Sequence, residues 1–144
     1  MSASPALSVA LDHVGVVVPD LDAAAAFFAE ALGFRPVRTA TLGQAADRFP
    51  ATFGAPDGAA LRVAFLETDG GTVELLEWTA ARAATDARAP QDAGTAHLAL
   101  AVADVEAAAA RLAAVPGVTV FERHRLGFVY ARAPWGLLIQ LVAR

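Results

Sequence analysis

The chain says nearly the same thing twice. The stretch "HVGVVVPDLDAAAAFFA", which starts at His13, aligns without a gap on "HLALAVADVEAAAARLA", which starts at His97. His13 meets His97, Val18 meets Val102 and Asp20 meets Asp104. Asp22 then meets Glu106, and the alanines at 23–26 meet those at 107–110. The whole chain holds only three histidines, so opposing two of them is not an accident of composition. A duplicated unit limits the fold more than any short motif does, because each copy must bury its apolar face against its neighbour.

Each copy reads as strand, turn, helix. Asp20 and Asp104 are placed as helix N-caps, each with an acidic residue in the first turn and alanines that propagate the helix. The first helix is expected to run to about Leu32, where Gly33 ends it. The second is expected to stop near Val115, before Pro116 and Gly117. Three apolar segments follow in each copy, at about 34–42, 61–67 and 72–78, and at about 118–122, 127–132 and 137–142. "ETDGGT" and "RAPWGL" carry the turn chemistry that joins the last two strands of each copy. The unit is therefore βαβββ, written twice. Residues 1–144 read as a single domain, with a first module at 9–79, a connector at 80–94 and a second module at 95–143. Residues 43–60 are extra to the first copy. Rich in Gly, Pro and Ala, they read either as a lid over one end of the sheet or as a disordered insertion.

Composition removes several chemistries. Cys, Lys and Asn are absent, and Ser2, Ser4 and Ser8 are the only serines. That excludes disulfides, thiolate ligands and Schiff-base chemistry, and leaves no sensible serine hydrolase. The net charge is −4, with no basic stripe and no glycine-rich phosphate loop, so neither nucleic acid nor a P-loop nucleotide is an expected partner. No apolar run approaches 18 residues, and "MSASPALS" lacks the features of a secretory signal. A cytoplasmic protein with no membrane partner is the expectation.

Strand alternation then sorts the side chains. His13, Gly15 and Val17 share one face, as do His97, Ala99 and Ala101, so the histidine face is lined by small residues. On the last strands Val73 and Leu75 match Ile139 and Leu141 on the core side, which turns Glu74 and Gln140 towards the histidines. A carboxylate in mid-strand is costly to bury unpaired. Glu77 and Glu67, near strand ends, read instead as salt-bridged or edge residues. Two imidazoles, one carboxylate and one amide oxygen, related by a pseudo-twofold axis, suit one divalent first-row transition metal (Mn, Fe, Co, Ni or Zn).

"LDHVGVVVPDLDAAAAFF", "GTVELLEW", "TAHLALAVADVEAAAARL" and "PWGLLIQLV", in this order, resemble the vicinal oxygen chelate superfamily. That superfamily includes glyoxalase I, methylmalonyl-CoA epimerase and the extradiol dioxygenases. The resemblance implies an α+β fold in which two tandem βαβββ modules form a curved, mostly antiparallel eight-stranded sheet around a metal cleft. By position it places the metal ligands at His13, Glu74, His97 and Gln140, and it implies a homodimer. "VELLEW" is most similar to the epimerase branch. Gln140 departs from the pattern, because glyoxalases and most epimerases of the family carry there a glutamate that can serve as base.

The resemblance implies a metal-dependent isomerase, epimerase or lyase acting on a small molecule by proton transfer beside a carbonyl through a metal-stabilised enolate. Glu74 is the preferred base, ahead of Glu67 and Asp47. An Fe(II) extradiol-type dioxygenase is the alternative, with Tyr130 and His124 available near oxygen. A metal-free binding or resistance protein is the third reading. Trp78, on the face of Glu74, is a candidate pocket wall together with Tyr130 and His124. The loop 122–127 carries Arg123, His124 and Arg125, which read as a solvated turn or as a grip for phosphate. Phe27 and Phe28 read as helix core, and Trp135 as a turn residue available for a dimer contact. Substrate, metal identity, and whether the site forms within one chain or across two all stay open at this level.

Overall fold

The computed structural model describes residues 8–42, 52–56, 58–79 and 88–144. Asp47, most of the extra stretch 43–60 and the first part of the connector lie outside the described residues. The first copy folds as β1 (His13–Val17), α1 (Leu21–Leu32), β2 (Arg35–Leu42), β3 (Ala60–Thr68) and β4 (Gly71–Thr79). The second folds as β5 (His97–Val102), α2 (Val105–Ala113), β6 (Thr119–Val120), β7 (Val129–Arg132) and β8 (Leu138–Ala143).

The eight strands form two four-stranded sheets with the same plan, β1-β4-β3-β2 and β5-β8-β7-β6. The first strand of each module runs parallel to the fourth, and the other pairs are antiparallel. This is the α+β, two-module architecture that the repeat predicts. Backbone pairing stops at β1 and β5, and residues of both strands line two shared cavities. Residues 12–14 and 98–102 line one cavity of about 520 Å³, while residues 14–18 and 95–98 line another of about 640 Å³. Across these cavities the start of β1 faces the later part of β5, and the end of β1 faces its start. This is the antiparallel relation that a pseudo-twofold axis demands.

Both helices begin on the aspartates that the sequence singles out. Asp20 and Asp104 have extended backbones, and each side chain accepts a hydrogen bond from the amide three residues on, Ala23 or Ala107, at 2.9 Å. Gly33 closes α1 with φ of +74°, a left-handed conformation that only glycine adopts without strain. At α1 a second carboxylate helps, since Glu77 accepts from the Leu21 amide at 2.6 Å. At α2, among the described residues, Asp104 is the one side chain that caps the helix start. Asp104→Ala is therefore expected to cost about 1 kcal/mol in a urea denaturation series.

The core lies between the helices and the sheets. Leu21, Phe28, Leu75, Leu112, Ile139 and Leu141 are all at most 1% exposed. Trp135 lies in the turn, as expected, and its ring also packs on Phe27 at 5.2 Å and Phe28 at 6.0 Å, which ties the second module to α1. Two boundaries differ. α2 ends at Ala113 rather than Val115, with Ala114 as its cap. β6 spans two residues only, although the Phe121 amide still donates to the Tyr130 carbonyl at 2.9 Å. Among the described residues no helix is long and apolar enough to cross a membrane.

Candidate metal centre

Register sets where the four sequence-selected donors sit. Glu74 on β4 pairs with Gly15 on β1, and Gln140 on β8 pairs with Ala99 on β5. Their flanking residues Val73, Leu75, Ile139 and Leu141 are buried against the helices. Glu74 and Gln140 therefore look away from the core, onto the small-residue face. Gly15 leaves room beside Glu74, where a Cβ would meet Leu76 Cδ1 at 3.3 Å.

In the first half His13 Nε2 lies 3.1 Å from Glu74 Oε2. Two donors on one cation, each at about 2.1 Å and 90–109° apart, would be separated by roughly 3.0–3.4 Å, so this pair fits a shared ion. The other nitrogen, Nδ1, donates to Asp12 Oδ2 at 2.7 Å. A carboxylate behind a ligating histidine fixes the ring and strengthens the donor. Sequence reading passed Asp12 over because the repeat gives no hint of it, and Ala96 stands at its place before His97.

The hydrogen bond to Asp12 above all holds the His13 imidazolium above the ordinary imidazole range; desolvation works against it and the Glu74 charge adds to it. A raised pKa means this charged pairing stabilises the metal-free fold fully below the ordinary imidazole pKa, and the effect is lost as pH rises through the raised one. A cation would take the place of the Nε2 proton. Because the Asp12 side chain is 94% exposed, its effect should sit at the modest end. Asp12→Asn is expected to weaken metal binding about tenfold in a calorimetric titration.

The second half is built differently. Tyr130 pairs in register with Gln140, and its hydroxyl lies 3.4 Å from His97 Nε2. His124 does not reach His97. It stacks on Phe128 at 4.5 Å, Phe128 meets Tyr130 edge-on at 5.8 Å, and Tyr130 meets the His97 ring at 5.2 Å. Trp78 lines the larger cavity, with Phe53 edge-on against it at 5.2 Å. The structure therefore brings the four donors into two pairs of strands, one pair per module. Among the described residues no three of the His, Asp and Glu side chains gather in one cluster.

Glu77 and Glu67 lie elsewhere. Glu77 holds the start of α1 and approaches Arg62 at 3.8 Å. Glu67 is exposed, opposite Arg35 on β2. Asp47 is outside the described residues. In the loop 122–127, Arg123 faces Glu106 at 4.0 Å. The cleft side of β3 and β4 carries a sealed apolar floor of Leu61, Val63 and Leu76, at most 4% exposed, which ends at Phe65 beside Glu74.

Comparison with known proteins follows this geometry. The chain is 35% identical over 145 residues to a 2-epi-5-epi-valiolone epimerase from an Actinomyces species, which covers 94% of this chain and 79% of the relative. Its fold is similar to that of a glyoxalase family protein from Bacillus cereus, with a TM-score of 0.81 and 20% identity over 99% of this chain and 98% of the other. It is also similar to the fosfomycin resistance protein FosX from Listeria monocytogenes in complex with Mn(II) and sulfate. There the TM-score is 0.63 and the identity 19%, over 96% and 94% of the two chains. The family profile spans residues 10–141, nearly the whole duplicated region. Two βαβββ units in tandem and this match agree, and the chain belongs to the glyoxalase/bleomycin resistance protein/dioxygenase superfamily.

Proposed function

We propose that this chain is a divalent-metal-dependent epimerase or isomerase that moves a proton on the carbon beside a carbonyl of a small molecule. The observation that carries the reading is the approach of His13 Nε2 to Glu74 Oε2 at 3.1 Å, on a face kept open by Gly15 and Ala99. The similarity to an epimerase supports it, and so does the Mn(II) complex of a structural neighbour.

His13, Glu74, His97 and Gln140 are the residues that would hold the metal. A divalent cation supplies polarisation of a substrate oxygen, which acidifies the neighbouring C–H. Glu74 takes that proton, since Gln140 has no basic site and Glu67 and Glu77 are placed elsewhere. Gln140 and His97 orient the substrate from the second module. The apolar floor of Leu61, Val63 and Leu76 keeps water away from one side of Glu74.

The test is deuterium uptake. With Mn(II) in deuterated water, a small ketone, thioester or hemithioacetal should gain deuterium at the carbon next to the carbonyl. Absence of uptake across ketones, thioesters and hemithioacetals would contradict the reading. The Tyr130 hydroxyl beside His97 favours one second reading, an Fe(II) ring-cleaving dioxygenase. Oxygen uptake with a catechol and Fe(II), without deuterium exchange, would select it.

A further inference from the structure

Two arginines on the cleft face are placed unlike the others. Arg38 on β2 lies over Phe65, with its guanidinium carbon 4.0 Å from the ring centre. Arg132 on β7 lies over Phe121 at 5.3 Å. Phe65 is the cross-strand neighbour of Glu74 and meets the His13 ring edge-on at 6.2 Å. Arg132 follows Tyr130 by two residues and so shares its face. From wall to wall the row reads Arg38, Phe65, Glu74, Gly15 in one sheet and Ala99, Gln140, Tyr130, Phe121 in the other, with Arg132 laid over the last ring.

Stacking decides what these guanidiniums can do. An arginine on an aromatic ring uses the faces of its plane for the cation–π contact and keeps its in-plane N–H donors free. Four other arginines are held by oxygen atoms of the protein: Arg35 by Asp69 at 3.2 Å, Arg62 by Asp22 at 2.9 Å, Arg88 by the Ala93 carbonyl and Arg111 by the Glu30 carbonyl. Among the described residues Arg38 and Arg132 have no carboxylate partner, although the chain carries 15 acidic residues against 11 basic ones. Each ring also restricts its arginine to one orientation, which lowers the entropy lost on gripping a ligand.

We infer that the two stacked arginines are anion-recognition groups at the outer walls of the cleft, and that the substrate bears an oxyanion, a carboxylate or a phosphate. A forked guanidinium matches either group with two parallel hydrogen bonds. The inference deepens the proposed proton transfer: the anion is gripped at a wall while the reacting carbonyl lies near Glu74.

The test avoids the metal and the reaction. Chelator-treated full-length protein, labelled with ¹⁵N, is titrated at low ionic strength with inorganic phosphate and, separately, with malonate, and the arginine Nε–Hε signals are followed. Saturable shifts of the Arg38 and Arg132 signals are expected with at least one anion. A response to phosphate alone marks a phosphate ester, and a response to malonate alone marks a carboxylate. The Arg38→Gln/Arg132→Gln double variant should bind that anion about tenfold more weakly or worse, and Arg62→Gln should bind as the wild type does. Unchanged affinity in the double variant, or no response to either anion, would overturn the inference. Because no turnover is read, that failure is distinct from a failure of deuterium uptake.

Discussion

The Glu74→Gln variant should lose epimerisation by about 10²- to 10⁴-fold, the usual contribution of a positioned general base, while keeping its fold. The side chain is 17% exposed and pairs with His13, so an isosteric amide disturbs little packing. Stability should stay within about 1 kcal/mol of the wild type. An amide oxygen remains a metal donor, as Gln140 is proposed to be, so the variant should still take up a cation, though more weakly. What it cannot do is accept a proton. Deuterium exchange into the substrate should vanish along with turnover. Retained exchange in a metal-loaded variant would remove Glu74 from proton transfer.

The largest stability effect is expected at Phe28, whose side chain is fully buried. Its ring meets Phe27 at 5.5 Å, Phe34 at 5.0 Å and Trp135 at 6.0 Å, so it belongs to both modules at once. Phe28→Ala leaves a cavity at that junction and should cost about 3–5 kcal/mol. Set against the 5–15 kcal/mol typical of a domain, this is a large share of total stability. The midpoint should fall by roughly 10–20 °C in calorimetry. One cooperative transition is expected, because the aromatic cluster couples the modules. Two separate transitions would show that the halves fold independently.

Much of the fold was legible because duplication, alternation and capping are local signals. The Asp20 and Asp104 caps, Gly33 after α1 and the core faces of β4 and β8 follow from spacing alone. β6 was overestimated because "VTVF" has strand composition, whereas its partner β7 is only four residues long. The packing of Trp135 was not legible, because nothing local shows that α1 of the other module lies beneath it. The pairing of Tyr130 with Gln140 depends on the turn at 133–136, where the Ala133 amide donates to the Leu137 carbonyl and Gly136 takes a positive φ. Asp12 and the arginine stacks were missed for a different reason. They break the twofold repeat, so a reading guided by that repeat passes over them.

One measurement bears most directly on the shared-cation site. In crystals grown with Mn(II), the anomalous difference map should show a single ion touching His13, Glu74, His97 and Gln140 at about 2.0–2.3 Å, whether the two halves come from one chain or from two. An ion held by one half alone, or no ion on this face at all, would contradict it.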